Sequence, residues 1–246
     1  TAAITACGTL NGVTYQSGSE TWDGSTWTSN TALPTIAESF NQFGTQTASI
    51  GFGGGTPAGY PVNAYTGDGE GWTAGPNLTN SKRYGSGCTG TQTAGIAFGG
   101  GHPESTPTEL LDGTTWTAGT AIPTPGGNFP KGVGTQDTAW MLPGTASPTT
   151  STFKFDGTTW TASESTATPR SGTMTSAGTQ SAAILAGQPS KGTAAEEYAK
   201  SVYTTTPAAW AAGGTVPYTS RQGMSFGTQT AAIACGGYVS STLDTA

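Results

Sequence analysis

Apolar and β-branched residues in this chain gather in short runs divided by glycine-rich and polar turns, and the grouping returns at a fixed interval. The stretch from Arg83 to Pro123, RYGSGCTGTQTAGIAFGGGHPESTPTELLDGTTWTAGTAIP, shows it most clearly. Four β-like runs are expected in it, at Tyr84–Gly90, Thr93–Gly99, Thr108–Asp112 and Thr115–Ala118. The first two are joined at Gly-Thr-Gln and the last two at Asp112-Gly113, read as a two-residue hairpin turn with both positions at φ > 0. The Asp-Gly pair returns at Asp23, Asp68 and Asp156, each time just ahead of a tryptophan. A Leu/Ile/Val-Pro step, as at Leu33-Pro34, Ile122-Pro123 and Val216-Pro217, leads to the next unit.

Two markers keep one beat. The glutamine of the Gly-Thr-Gln motif stands at Gln46, Gln92, Gln136, Gln180 and Gln229, and a tryptophan at Trp27, Trp72, Trp116, Trp160 and Trp210. Four short strands in a unit of about 45 residues predict an all-β chain folded as a β-propeller of four-stranded blades. Residues 1–246 are read as one propeller domain. Thr1–Cys7 echoes Thr230–Gly237, a second strand, so the chain is expected to start and end in mid-blade, as part of a longer one. It samples six blades, without the first strand of the first and the last strand of the sixth, and six or seven are expected.

The glycine pairs after the second strand (Gly53-Gly54, Gly99-Gly100, Gly236-Gly237), the Asp-Gly turn and the tryptophan ahead of a proline resemble the kelch repeat. That repeat also builds the propeller of galactose oxidase. The Thr/Gly-rich version with Gly-Thr-Gln-Thr turns is similar to kelch-like structural proteins of tailed bacteriophages, marine ones in particular. The resemblance implies a rigid scaffold on the exterior of a virion. In the repeat itself, Gly-Thr-Gln reads as a turn between the two innermost strands. The alternative is a ring of glutamines at one mouth of the channel, binding a ligand.

Composition narrows the field. The chain has 246 residues, a net charge of −6 and only 9% charged residues, which suits neither phosphate backbones nor anionic membranes. Nucleic-acid binding and membrane insertion are not expected, since no apolar run reaches the length of a span. Seven Trp, eight Tyr and eight Phe, spread along the chain, argue for packing rather than disorder. Three cysteines (Cys7, Cys88, Cys235) without Cys-x-x-Cys spacing do not support a disulfide framework.

Length varies in one half of the repeat only. From tryptophan to the next glutamine the spacing is 19 or 20 residues, whereas from glutamine to tryptophan it runs from 24 to 30. The variable half holds loops expected to share a face with the blade-to-blade connections, and that face is the candidate binding surface. Its candidate residues are Tyr60, Arg83, His102, Glu104, Arg170, Lys191, Tyr218 and Arg221. The insertion Thr193–Lys200 (TAAEEYAK) has helical propensity and is expected as a short surface helix.

No catalytic set emerges. The resemblance to galactose oxidase would imply copper held by two histidines and tyrosines, but His102 is the single histidine. HExxH and GxSxG are missing, and the four turn aspartates lie on separate blades, too far apart to share a calcium ion. Arg83, Arg170 and Arg221 stand at similar places in three blades, as a sialidase-like carboxylate clamp would require, yet an arginine after the proline step belongs to the kelch-like pattern. No metal and no cofactor are expected. The expectation is a non-enzymatic structural or adhesive protein on the virion exterior, in a tail, a fibre or on the capsid. Its partners would be other virion proteins, copies of itself or a host-surface glycan. The alternative is a secreted or cell-surface carbohydrate-binding module.

Overall fold

A computed structural model of the chain describes residues 2–10, 14–80, 85–100, 106–123, 129–144, 149–170, 174–187 and 195–200 in full. Beyond these it places the backbone of strands at 210–212, 224–228, 231–235, 238–239 and 242–243. The described residues are all-β, in a propeller of antiparallel blades. The first blade has three strands, β1 (Ala3–Leu10), β2 (Thr14–Trp22) and β3 (Trp27–Ser29). The second has four: β4 (Asn41–Thr45), β5 (Ala48–Phe52), β6 (Ala64–Gly67) and β7 (Trp72–Ala74). The third follows with β8 (Gly87–Thr91), β9 (Ala94–Phe98), β10 (Thr108–Leu111) and β11 (Trp116–Gly119).

The fourth blade is β12 (Lys131–Val133), β13 (Trp140–Leu142), β14 (Phe153–Phe155) and β15 (Trp160–Ala162). The fifth is β16 (Thr175–Gly178), β17 (Ala182–Ala186), β18 (Ala195–Ala199) and β19 (Trp210–Ala212). A hairpin of β20 (Met224–Thr228) and β21 (Ala231–Cys235) packs beside β16, and β22 (Tyr238–Val239) with β23 (Thr242–Leu243) forms a separate pair. Among the described residues five blades are present where six or seven were expected. The repeat count registered the fifth Gly-Thr-Gln hairpin, β20–β21, as part of a further blade, but β22 and β23 pair with each other instead of extending it.

The strand order within each blade follows the chain, so β4, β8, β12 and β16 are the innermost strands and lie beside one another. The core is divided into clusters, one at each junction between blades. Small residues on the inner strands let the blades converge, and aromatic rings fill the widening wedge outside them. At the second junction Trp116 packs edge-on to Phe52, with ring centroids 5.5 Å apart, beside Ile50 and Leu78. Trp160 meets Phe98 at 4.9 Å in the same way at the third. Such edge-to-face pairs add about 0.5–1.5 kcal/mol to the burial of the rings.

Two local expectations are corrected. The Asp-Gly turn is a four-residue loop, since Leu111 pairs directly with Trp116 and only Gly113 has positive φ. Asp112 instead caps the loop, its Oδ1 accepting from the Thr114 and Thr115 N–H groups at 2.8 Å each. The helix expected over Thr193–Lys200 is replaced, in its described part, by strand β18 (Ala195–Ala199), paired with β17 and β19. Glu196 and Tyr198 are buried and Glu197 is exposed, the two-residue period of a strand. Tertiary pairing overrides the local propensity.

Candidate functional site

Because successive strands run antiparallel, the Gly-Thr-Gln and Asp-Gly turns share one rim of the propeller. The loops between second and third strands and the blade connections share the other. The first rim is uniform in blades two to four, whereas in blade five residues 200–209 lie between β18 and β19 in place of the Asp-Gly turn. The glycine of Gly-Thr-Gln has positive φ (109° at Gly44, 122° at Gly90), and a Cβ there would lie 2.3 Å from the carbonyl oxygen of Ala48 or Ala94. No other residue fits that approach.

The described glutamines of this rim, Gln46, Gln92, Gln136 and Gln180, are engaged in bonds between blades. Each reaches back to the preceding blade, where its Nε2 donates to main-chain carbonyls. Gln92 bonds Ser49 O at 3.1 Å and Gly67 O at 3.3 Å. Gln136 bonds Gly95 O at 2.9 Å and Leu111 O at 2.8 Å. Gln180 bonds Ala139 O at 3.2 Å and Phe155 O at 3.0 Å. Gln46 makes one such bond, to Trp22 O at 3.3 Å. One amide thus ties the second and third strands of one blade to the innermost hairpin of the next. Gln229 lies outside the described residues.

The tryptophans make a second tie across the same junctions. Trp72 Nε1 donates to Ser19 Oγ at 2.9 Å, and Trp160 Nε1 to Thr108 Oγ1 at 3.1 Å. Trp116 is buried equally well but its Nε1 has no partner, because Ala64 occupies the place of Ser19 and Thr108. Trp27 differs from the series: it is 41% exposed. The side chain of Trp210 lies outside the described residues.

The opposite rim, the candidate binding surface, keeps one of its candidate residues in view. Tyr60 is 40% exposed, beside a tight turn in which Thr56 and Gly59 exchange backbone hydrogen bonds of 2.8 and 3.0 Å. Arg170 is corrected. It is fully buried, its guanidinium paired with Glu196 at 2.9 Å and donating to Gly187 O at 3.0 Å. It serves the fold, because Glu196 also accepts the Ala167 and Thr168 N–H groups and so pins the incoming connection. Glu109 does the same two junctions earlier, taking the N–H groups of Thr79 and Asn80. Neither glutamate was singled out from the sequence, although both are buried carboxylates on third strands. Arg83, His102, Glu104, Lys191, Tyr218 and Arg221 lie outside the described residues.

Around Tyr60 the backbone forms a continuous ridge. Gly8 N donates to Ala37 O, Glu38 and Gly55 exchange bonds of 2.9 and 3.0 Å, and Gly55 leads into the Thr56–Gly59 turn. Blade one, the connection and the loop of blade two are thereby joined. On this ridge stand Leu10 (48% exposed), Ile36 (41%) and Tyr60, three of the four large apolar side chains exposed among the described residues. The sequence reading singled out Tyr60 but not Leu10 or Ile36 for this rim, the latter two being ordinary strand-end and connector residues until the blades are assembled.

Polar chemistry elsewhere is engaged in packing. Lys154 Nζ lies 2.8 Å from Glu164 Oε2 and 4.6 Å from the centroid of the Trp140 ring. Burial pushes the Glu164 carboxyl up, but hydrogen bonds from Lys154 and Ser163 outweigh it and hold the group at about 2. The Cys7 and Cys88 thiols are free, and burial pushes both up to about 12. Among the described residues no three His, Cys, Asp or Glu side chains are grouped to hold a metal ion. In comparisons with known proteins, no family model matches the chain and no curated protein matches it.

Proposed function

We propose that this protein is a non-enzymatic adhesive scaffold that presents the loop rim of a kelch-like propeller to a carbohydrate surface. The observation that carries the reading is the ridge of Leu10, Ile36 and Tyr60, held by backbone bonds across two blades and exposed on the rim where loop length varies. An aromatic ring with aliphatic neighbours suits the apolar face of a sugar, and the Thr, Ser and Gly residues around it bond hydroxyls without the desolvation cost of charges. Arg170 does not join a carboxylate clamp, because its guanidinium is bound to Glu196, which removes one support for a sialidase-like reading.

The Thr/Gly-rich repeats, similar to those of tailed-phage proteins, support a reading in which the scaffold sits on the exterior of a virion, with other virion proteins or copies of itself as neighbours and a host-surface glycan as the contact. A shallow site of this size binds weakly, so function rests on many copies per particle. The test is binding of multimerised protein to host cells and to a glycan panel. Replacing Thr56–Tyr60 with a Gly/Ser linker should abolish binding, while Thr114→Ala on the opposite rim should leave it intact. Equal binding by both variants would sink the reading.

A further inference from the structure

The ridge of the loop rim carries a single charge. Among residues 8–10, 36–38 and 53–60, Glu38 alone has a charged side chain. Its main chain is fixed, since it exchanges backbone bonds of 2.9 and 3.0 Å with Gly55 and follows the buried Ala37. Its side chain is not employed in the same way. Glu109 and Glu196 spend their carboxylates on the N–H groups of a connection. Among the described residues no hydrogen bond or ion pair engages the carboxylate of Glu38, which is half-buried.

Gly55 stands between this carboxylate and Tyr60. On one side it is bridged to Glu38; on the other, the bridge from Thr56 to Gly59 closes a turn and sets Tyr60 opposite Gly55. Residues opposite one another on antiparallel strands point to the same face, so Glu38 and Tyr60 rise on either side of a glycine. Strand spacing sets their Cα atoms about 10 Å apart, the room of one sugar ring. Gly55 does not have the positive φ of its neighbours Gly53 and Gly54, so its backbone conformation does not call for glycine. The space above it does: a Cβ there would lie 3.0 Å from Glu38 Oε1 and 3.2 Å from Glu38 Cγ.

We infer that this cleft is a subsite for one uncharged hexose ring, with Tyr60 against its apolar face and Glu38 accepting from two neighbouring hydroxyls. Glu38 then sets the class of ligand: neutral sugars are held, and sialic or uronic acids are repelled. The inference rests on the glycan-binding reading above and names the chemistry of that same site. A carboxylate has two oxygens and lone pairs enough for two hydroxyls at once, and bonds to an ionised acceptor are stronger than neutral ones. Being half-buried, Glu38 gives up only part of its hydration when a sugar docks, which limits the cost of using a charge. A second carboxylate brought beside it meets like charge, and no residue of the ridge offers a cation to offset it.

Binding of the multimerised protein to surfaces coated with mannan or dextran, which are neutral, and with alginate or polysialic acid, which carry carboxylates, tests it at low salt. Wild-type protein should bind a neutral surface about tenfold or more tighter than the acidic ones. Glu38→Gln keeps the shape and removes the charge; it should weaken neutral binding by about tenfold and narrow the discrimination. Gly55→Ala, which crowds the carboxylate without altering it, should weaken binding in the wild type and add nothing in a Glu38→Ala background. Melting midpoints of Glu38→Gln and the wild type should coincide; a lowered midpoint would assign Glu38 to the fold and count against the inference. Loss of binding in Tyr60→Ala with Glu38→Gln unchanged would overturn the inference and leave the glycan reading standing. A preference for alginate or polysialic acid would overturn it likewise. Absence of binding to all four surfaces overturns it too, and absence from host cells as well would sink the glycan reading beneath it.

Discussion

Trp116 is a natural experiment at the scale of one residue. Its neighbours in the series, Trp72 and Trp160, donate to Ser19 and Thr108, whereas Trp116 faces Ala64 and leaves a buried N–H unpaired. An unmade hydrogen bond of this kind costs on the order of 1–3 kcal/mol relative to a made one. Ala64→Ser should recover part of that and raise stability by up to about 1 kcal/mol in urea denaturation; a loss of stability would mean that the indole has no room to donate. Trp116→Ala removes the ring from Ile50, Phe52 and Leu78 and should cost about 3–5 kcal/mol by the same measurement.

At the scale of the element, the capped turns couple stability to pH. The Thr114 hydroxyl and the Thr114 and Thr115 N–H groups bond Asp112 and hold its carboxyl well below the usual carboxylate range; Asp23 and Asp156 are held down likewise by their turn N–H and hydroxyl groups. Carboxyls depressed in the folded state favour folding above their unfolded pKa, and that contribution is lost as pH falls through the folded value. Denaturation midpoints should therefore be level near pH 7 and decline below about pH 4, the ordinary aspartate pKa. Asp112→Asn should flatten that decline; an unchanged slope would show that the turn carboxylates take no part. These turns were legible because Asp and Gly stand at fixed offsets before four of the five recurring tryptophans, Trp27, Trp72, Trp116 and Trp160. β18 was not: five residues rich in Ala and Glu look helical alone, and only pairing with β17 and β19 makes Glu196 and Tyr198 the buried positions. Arg170 was misplaced for the same reason, since its partner lies 26 residues away, beyond a loop whose length no other blade shares.

At the scale of the whole molecule, the period showed that blades exist and where each begins, but not how one holds the next. Gln136 looked like a turn residue because it recurs in a turn, and a repeat records position without direction. In the structure its amide points out of its own hairpin and into the blade before, as do those of Gln92 and Gln180. The rim of recurring motifs thus binds the propeller together, while the variable rim exposes Leu10, Ile36 and Tyr60, which the proposal assigns to surface contact. That division of labour between the two rims is the centre of the account. Equilibrium urea unfolding of Gln136→Ala, read beside Tyr60→Ala, tests it most directly. Loss of two hydrogen bonds to main-chain carbonyls should lower the stability of Gln136→Ala by about 1–3 kcal/mol, and Tyr60→Ala should stay within about 0.5 kcal/mol of the wild type. Wild-type stability in Gln136→Ala, or a larger loss in Tyr60→Ala, would contradict it.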